Sequence, residues 1–286
     1  MNVSRLTRRE FLAASCALPV AGACSNRSPT APTSYPSTAA IVFQQDFDSA
    51  ALGIYTAEAL AAGWLGASPY NGVREGRVAV FEGPEARLGR SIRVTYPQGA
   101  VGAEPGGAQW KLRLGGSYNE LFCSYAVRFA PPFDFVRGGK LPGLIGGAGN
   151  TGGHKPTGFD GWSARMMWQA GGEGIQYVYH VDQPTEYGEA FHWNLGGQRY
   201  FRPGTWHRVE HRIVINTPGV RDGIVQGWFD GALALDRRDV RFRNVNTFSI
   251  DGFYFSTFFG GDDPSWAPTK DERIDFDQFA ISTGRV

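Results

Sequence analysis

The sequence predicts an all-β, jelly-roll-like sandwich of two antiparallel sheets, and three observations lead there. Glycine takes 39 of the 286 positions, about twice its ordinary usage. Aromatic residues reach 14%, while the Ala/Leu/Glu/Lys runs that build helices are scarce. From Ile41 onward apolar residues recur with period two far more often than with period 3.6.

Taken in order, strands are expected over 41–47, 77–82, 91–96, 109–114, 121–129, 161–170, 175–182, 206–216, 224–230, 248–258 and 274–281. Clusters of Gly, Pro, Asn and Asp separate them. One short helix is expected around Ala57–Ala62. In 109–114, Trp110, Leu112 and Leu114 share one face, with Gln109, Lys111 and Arg113 on the other. Such a polar face is solvated surface or the lining of a polysaccharide groove. Strand 206–216 is mixed, since His207 and His211 fall with Val209 and Ile213. Residues 161–170 and 175–182 read as a hairpin around Gly171-Gly172-Glu173. Ser163, Arg165 and Met167 then share a face, opposite in direction to Trp162, Ala164, Met166 and Trp168. With Ala170 paired to Gly174, Arg165 falls opposite Tyr179 and Met167 opposite Tyr177; a one-residue slip would reverse the facing. No repeat and no further linker interrupts 41–286, which is read as one domain.

The preceding segment reads as an address and a tether. Thr7-Arg8-Arg9-Glu10-Phe11-Leu12 is a twin-arginine motif, followed by an apolar run to Ala23 that is too short to span a bilayer. Residues 1–23 are accordingly expected to be an export signal. Cys24 follows the small residues Ala21-Gly22-Ala23, so either simple cleavage or lipid attachment at Cys24 is open. Residues 24–40 are a Ser/Thr/Pro-rich tether. The destination expected is periplasmic, secreted or lipid-anchored at the envelope, with membrane contact only through that anchor. Of the three cysteines, only Cys123 lies in the domain, where it reads as a buried, inert thiol.

Charge excludes broad electrostatic partners. The chain has 28 basic against 27 acidic residues, a formal net charge of +1, and no general field for nucleic acid or anionic membranes. A local exception lies in 137–168, where Arg137, Lys140, Lys155 and Arg165 meet one acid, Asp160. The glycines of this stretch allow close backbone approach to a ligand. No helix follows them to cap a phosphate, so a nucleotide cradle fits poorly.

Three runs carry a resemblance: Gly139-Lys140-Leu141-Pro142-Gly143-Leu144, then Gly161-Trp162-Ser163-Ala164-Arg165-Met166-Met167-Trp168, then Tyr177-Val178-Tyr179-His180. In this order and spacing they resemble polysaccharide lyase family 14, which contains alginate and glucuronan lyases. The likeness continues more weakly through Trp228-Phe229-Asp230-Gly231 and Ser256-Thr257-Phe258-Phe259-Gly260-Gly261. The resemblance implies a β-jelly roll whose cleft binds an acidic polysaccharide. By motif it places a functional lysine on Lys140, a serine and arginine on Ser163 and Arg165, and a tyrosine pair on Tyr177 and Tyr179.

Those residue types suit β-elimination from a uronate. The C5 proton, α to a carboxylate, is weakly acidic, and a cation on that carboxylate stabilises the developing enediolate. Arg165 is assigned to the carboxylate, with Ser163 a hydrogen-bond donor beside it. Tyr177 and Tyr179 are the proton-transfer pair. Lys140 is either the base or the charge that lowers a tyrosine pKa. No metal or organic cofactor is expected, and neither is oligomerisation. His180 alternates away from the tyrosines and reads as supporting. His192 and Tyr187 sit in a long loop, 183–204, that reads as a lid. Asp262 and Asp263 read as a solvated acidic loop rather than a calcium site. The different-class alternative is a non-catalytic, carbohydrate-binding exported lipoprotein, which would not need Lys140, Arg165 and both tyrosines together.

Overall fold

The computed structural model describes residues 39–286; the expected export signal and nearly all of the expected tether lie outside them. Sixteen strands occur among the described residues. They are β1 (Ile41–Gln45), β2 (Gly53–Ile54), β3 (Pro69–Asn71), β4 (Val78–Glu82), β5 (Arg90–Tyr96), β6 (Ala108–Tyr118), β7 (Glu120–Phe129) and β8 (Gly138–Gly147), then β9 (Gly161–Gln169), β10 (Gly174–Tyr179), β11 (Glu189–His192), β12 (Trp206–Val214), β13 (Gly223–Phe229), β14 (Ala232–Val240), β15 (Ile250–Phe259) and β16 (Glu272–Ser282). They form two antiparallel sheets in a β-jelly roll. One has nine strands in the order β14-β13-β12-β7-β16-β5-β4-β2, with β1 also on β16. The other has seven, β11-β10-β9-β8-β15-β6-β3.

Alternation decides which faces meet. Trp162, Ala164, Met166 and Trp168 of β9 point between the sheets and are fully buried, as are Trp110 and Leu112 of β6. Across the gap Phe276 and Phe279 of β16 complete an aromatic core, in which Trp110 stacks on Phe255 with centroids 3.8 Å apart. The expected helix is present as α1 (Ala57–Gly63), started by Thr56, whose side chain accepts from Ala59 N–H. It delivers Leu60 and its C-cap Trp64 into the same core. Cys123 is buried and unpaired.

The mixed face of β12 resolves as burial of both histidines. His207 bonds Asp230, 2.8 Å away, and His211 bonds Gln176 at 2.8 Å, so each polar ring enters the interior with a partner.

Three expectations need correction. First, the β9–β10 register is shifted: Tyr177 lies opposite Arg165, and Tyr179 opposite Ser163. The turn is Ala170–Gly172, because the left-handed positions are Gly171 and Gly172, with φ of 69° and 88°. Glu173 is extended and its carbonyl closes the loop with Gln169 N–H. The slip moves each strand by one residue, so both faces are kept. Second, β8 and β14 were not expected as strands. The Gly-rich, Pro-containing sequence of β8 hides its period, which a bulge between Leu141 and Gly143 breaks. Third, the 183–204 segment is not a free lid, since its residues Glu189–His192 form β11 and pair with β10.

Candidate active site

The outward face of the seven-stranded sheet carries the residues singled out by motif. Registered neighbours form rows across the strands. One row reads Ala190, Tyr177, Arg165, Gly143, Tyr254, Lys111. The row on one side holds Ile175, Met167, Lys140 and Phe258. That on the other holds Tyr179, Ser163, Ile145, Gly252 and Arg113. All five predicted residues therefore share one face within three strands.

The bulge in β8 makes this possible. Strict alternation would put Lys140 and Gly143 on opposite faces; the extra residue returns both to the outer face. Pro142 has no N–H to contribute to a ladder, and its carbonyl instead accepts a bond from the core hydroxyl of Tyr125 at 3.1 Å. Gly143 beside Arg165 forms a floor without a side chain, for a Cβ there would lie 2.2 Å from the Ala164 carbonyl oxygen.

Arg165 is 2% exposed and Lys140 8%, yet neither has a carboxylate partner among the described residues. Arg165 Nη1 donates to Ser256 Oγ at 3.1 Å, while its Nε–H is buried and unpartnered. Lys140 Nζ meets Met167 Sδ at 3.4 Å, the Gly260 carbonyl at 3.5 Å, and the Tyr177 and Phe258 rings at 4.5 and 5.9 Å. Buried cations are ordinarily paired. A hollow of about 280 Å³ on the other sheet shows the contrast: it too is lined with charge, but there Arg93 pairs with Glu85 and Lys270 with Glu272. The outer face thus holds two buried cations without carboxylate partners among the described residues, and the Arg165 Nε–H has its donor unspent.

The same burial sets proton affinities. Desolvation, reinforced by the Arg165 charge, brings the Lys140 ammonium down to about 7. Burial, then the neighbouring Tyr179, pushes the Tyr177 hydroxyl well above its ordinary value, although Arg165 opposes this. The Tyr179 hydroxyl accepts the Gly153 N–H at 3.2 Å. Ser163 donates its proton to the Asn150 carbonyl at 2.7 Å, and Asn150 Nδ2 in turn reaches Asp160 at 2.9 Å. Ser163 thereby pins the 148–160 loop beside Tyr179, and the hydroxyl on the arginine is that of Ser256.

Ser256, Tyr254 and Gln109 had no assigned role in the sequence. The trace of them was the polar face of β6 and the Ser256–Gly261 run. Gln109 Nε2 donates to Ser256 Oγ at 2.9 Å, fixing the oxygen that holds Arg165. His180 lies on the opposite face, with Nε2 2.7 Å from Glu189. Asp263 caps the Pro264–Trp266 turn by accepting from Ser265 N–H at 2.7 Å. No group of three or more His, Cys, Asp or Glu side chains converges as a metal site among the described residues.

A family model for polysaccharide lyase 14 matches residues 85–279. Among solved structures, that of alginate lyase Aly36B is 28% identical with a TM-score of 0.73, over 84% of this chain and 95% of that one. A variant of the same enzyme with a lysine and a tyrosine replaced by alanine, in complex with alginate tetrasaccharide, is 27% identical with a TM-score of 0.74, over 85% and 97%. The PL-14 alginate lyase from Aplysia kurodai is 25% identical with a TM-score of 0.70, over 86% and 100%. No curated protein matches.

Proposed function

The chain belongs to polysaccharide lyase family 14 and is a polysaccharide lyase, and we propose that it cleaves a polyuronate such as alginate or glucuronan by β-elimination, leaving a 4,5-unsaturated uronate end. The observation that carries this reading is the pair of buried cations, Arg165 and Lys140, without carboxylate partners among the described residues and flanked by Tyr177.

Arg165 receives the C6 carboxylate through its free Nε/Nη2 edge, and its charge stabilises the dianionic character that develops as C5 loses a proton. Lys140, brought to about 7 by burial, is neutral often enough at neutral pH to be the base, and its Nζ accepts the C5 proton. Tyr177 is held protonated by its raised pKa, so it suits proton donation to O4 as the C4–O4 bond breaks. Proton return from the Lys140 ammonium to the Tyr177 phenolate then resets both groups. Tyr179, fixed by Gly153 N–H, lines the same sugar site.

Both proton-transfer groups rise from one sheet face, so proton removal and delivery occur on the same side of the sugar ring. In β-D-mannuronate and β-D-glucuronate the C5 hydrogen and O4 share a face; in α-L-guluronate they do not. The preferred substrates are therefore polymannuronate-like or glucuronan-like. The test is to incubate the protein with polymannuronate, polyguluronate and glucuronan and follow the ultraviolet absorbance of unsaturated ends. Product from the first or last supports the reading. Binding of all three without any absorbance overturns the lyase assignment, and preference for polyguluronate overturns the one-face mechanism.

Export by the twin-arginine route belongs to the same proposal, supported by Thr7–Leu12 and the apolar run after it. Replacing Arg8 and Arg9 by lysine should leave precursor in the cytoplasm. Lipid attachment is read from Cys24, and Cys24→Ala should release the protein from the membrane fraction.

A further inference from the structure

We propose that Lys111 forms a second carboxylate subsite, which grips a uronate residue remote from the scissile bond and makes turnover depend on chain length. The inference rests on the lyase reading and extends it along the cleft.

Lys111 closes the row that begins at Tyr177 and Arg165. The Arg165 and Lys111 backbones are three strands apart, about 14 Å at ordinary strand spacing, but their charged ends converge on the shared Tyr254 ring and lie within about 11 Å of each other, roughly the separation of carboxylates two residues apart in a polyuronate. Between them the floor is Gly143 and the wall is Tyr254, so a chain lying across the strands meets no bulky side chain over Gly143. Lys111 Nζ stands 5.1 Å from the centre of the Tyr254 ring. Arg165 faces the same ring from the other side of the row, at 5.7 Å.

The outward residues of β6 are not alike. Arg113 is neutralised by Asp251 at 2.9 Å, and Gln109 is spent on Ser256. Lys111 donates to the Ala148 carbonyl at 2.8 Å and has no acidic partner among the described residues, which leaves two of its three donors free. It is half-buried, and burial together with the charges of Arg113 and Arg165 disfavours its ammonium form. Lysines on solvated faces pair or extend into water. One retained beside two arginines has the environment of an anion site, and a polyuronate carries a carboxylate on every residue.

The experiment measures Lys111→Met and Lys111→Arg on polymannuronate and on a mannuronate oligomer ladder from dimer upward. Equilibrium binding of the polymer is measured in parallel by calorimetry. For the polymer, Lys111→Met should raise KM and Kd about tenfold, the scale of losing one charge-assisted contact, with kcat within twofold. Dimers, too short to bridge Arg165 and Lys111, should show no difference, and the effect should begin at the trimer. Lys111→Arg should restore most of the polymer affinity. An equal KM loss on short and long substrates, or no loss on either, overturns the subsite while leaving the lyase reading intact. If no unsaturated product forms with the unaltered protein, calorimetry still decides: weaker polymer binding by Lys111→Met upholds the subsite and unchanged binding rejects it.

Discussion

At the scale of single residues, the proposed mechanism gives charge neutralisation and proton transfer to different groups. Arg165→Ala removes the guanidinium proposed to hold the sugar carboxylate and should lower kcat at least ~100-fold, the scale of losing one transition-state charge stabiliser. Tyr177→Phe keeps the ring under Lys140 but deletes the hydroxyl, and should lower kcat with little change in KM. Rates of unsaturated-end formation check both. The Lys140 assignment makes a pH prediction with a definite sign: kcat/KM should climb as pH rises through about 7, where the ammonium becomes a free base. The same shift has a stability consequence. Its folded value lies below the ordinary 10.5, so the folded protein binds fewer protons between about 7 and 10.5 and stability rises with pH across that window. Below it the full penalty of the buried ammonium remains. Lys140→Met should therefore abolish turnover yet gain about 1–3 kcal/mol at pH 6, read from chemical denaturation. Residue types here were legible in the sequence: a lysine, an arginine and two tyrosines in known motifs. Ser256 was not, because a serine on an apolar strand has no distinguishing pattern until Gln109 and Arg165 are seen to share its oxygen.

At the scale of elements, β8 and the β9–β10 hairpin build the site, and both were only half legible. The hairpin faces follow from period two and survive the corrected register, since moving both strands by one residue preserves facing. The register itself depended on which two residues of Ala170–Glu173 turn left-handed. Strand β8 was hidden because its bulge breaks the alternation that identifies strands. Gly143→Ala tests that bulge. The new methyl would meet the Ala164 carbonyl and the Arg165 Cα, so it should displace Arg165, cut kcat/KM and cost about 1–3 kcal/mol. Beneath the hairpin, burial holds His211 down at about 3, and its Nδ1 takes a bond from Gln176. Unfolding lets that ring take a proton from pH ~6.5 downward, so stability falls as pH drops from there toward 3, by up to about 1.4 kcal/mol per unit. His211→Leu should flatten the fall of Tm with pH over that window.

At the scale of the whole molecule, a nearly neutral chain distributes its positive charge unevenly between the two sheets. The Arg93–Asp275–Arg128 network on the other sheet is closed, whereas Arg165, Lys140 and Lys111 have no acidic partner among the described residues. Because the proposed mechanism draws charge neutralisation and proton transfer from Arg165, Lys140 and Tyr177, exhaustive chelation should leave the cleavage rate nearly unchanged; a loss restored by one divalent ion would show that a metal takes part. By itself the sequence determined the all-β class, the inward aromatic faces and the identity of the five motif residues, since local alternation and residue chemistry are written in short windows. Tertiary structure alone decided that these residues stand in adjacent rows, that Ser163 holds a loop while Ser256 holds the arginine, and that Lys111 joins the row. Those are relations between strands far apart in the chain, set by bulge, turn and register, and no local pattern encodes them.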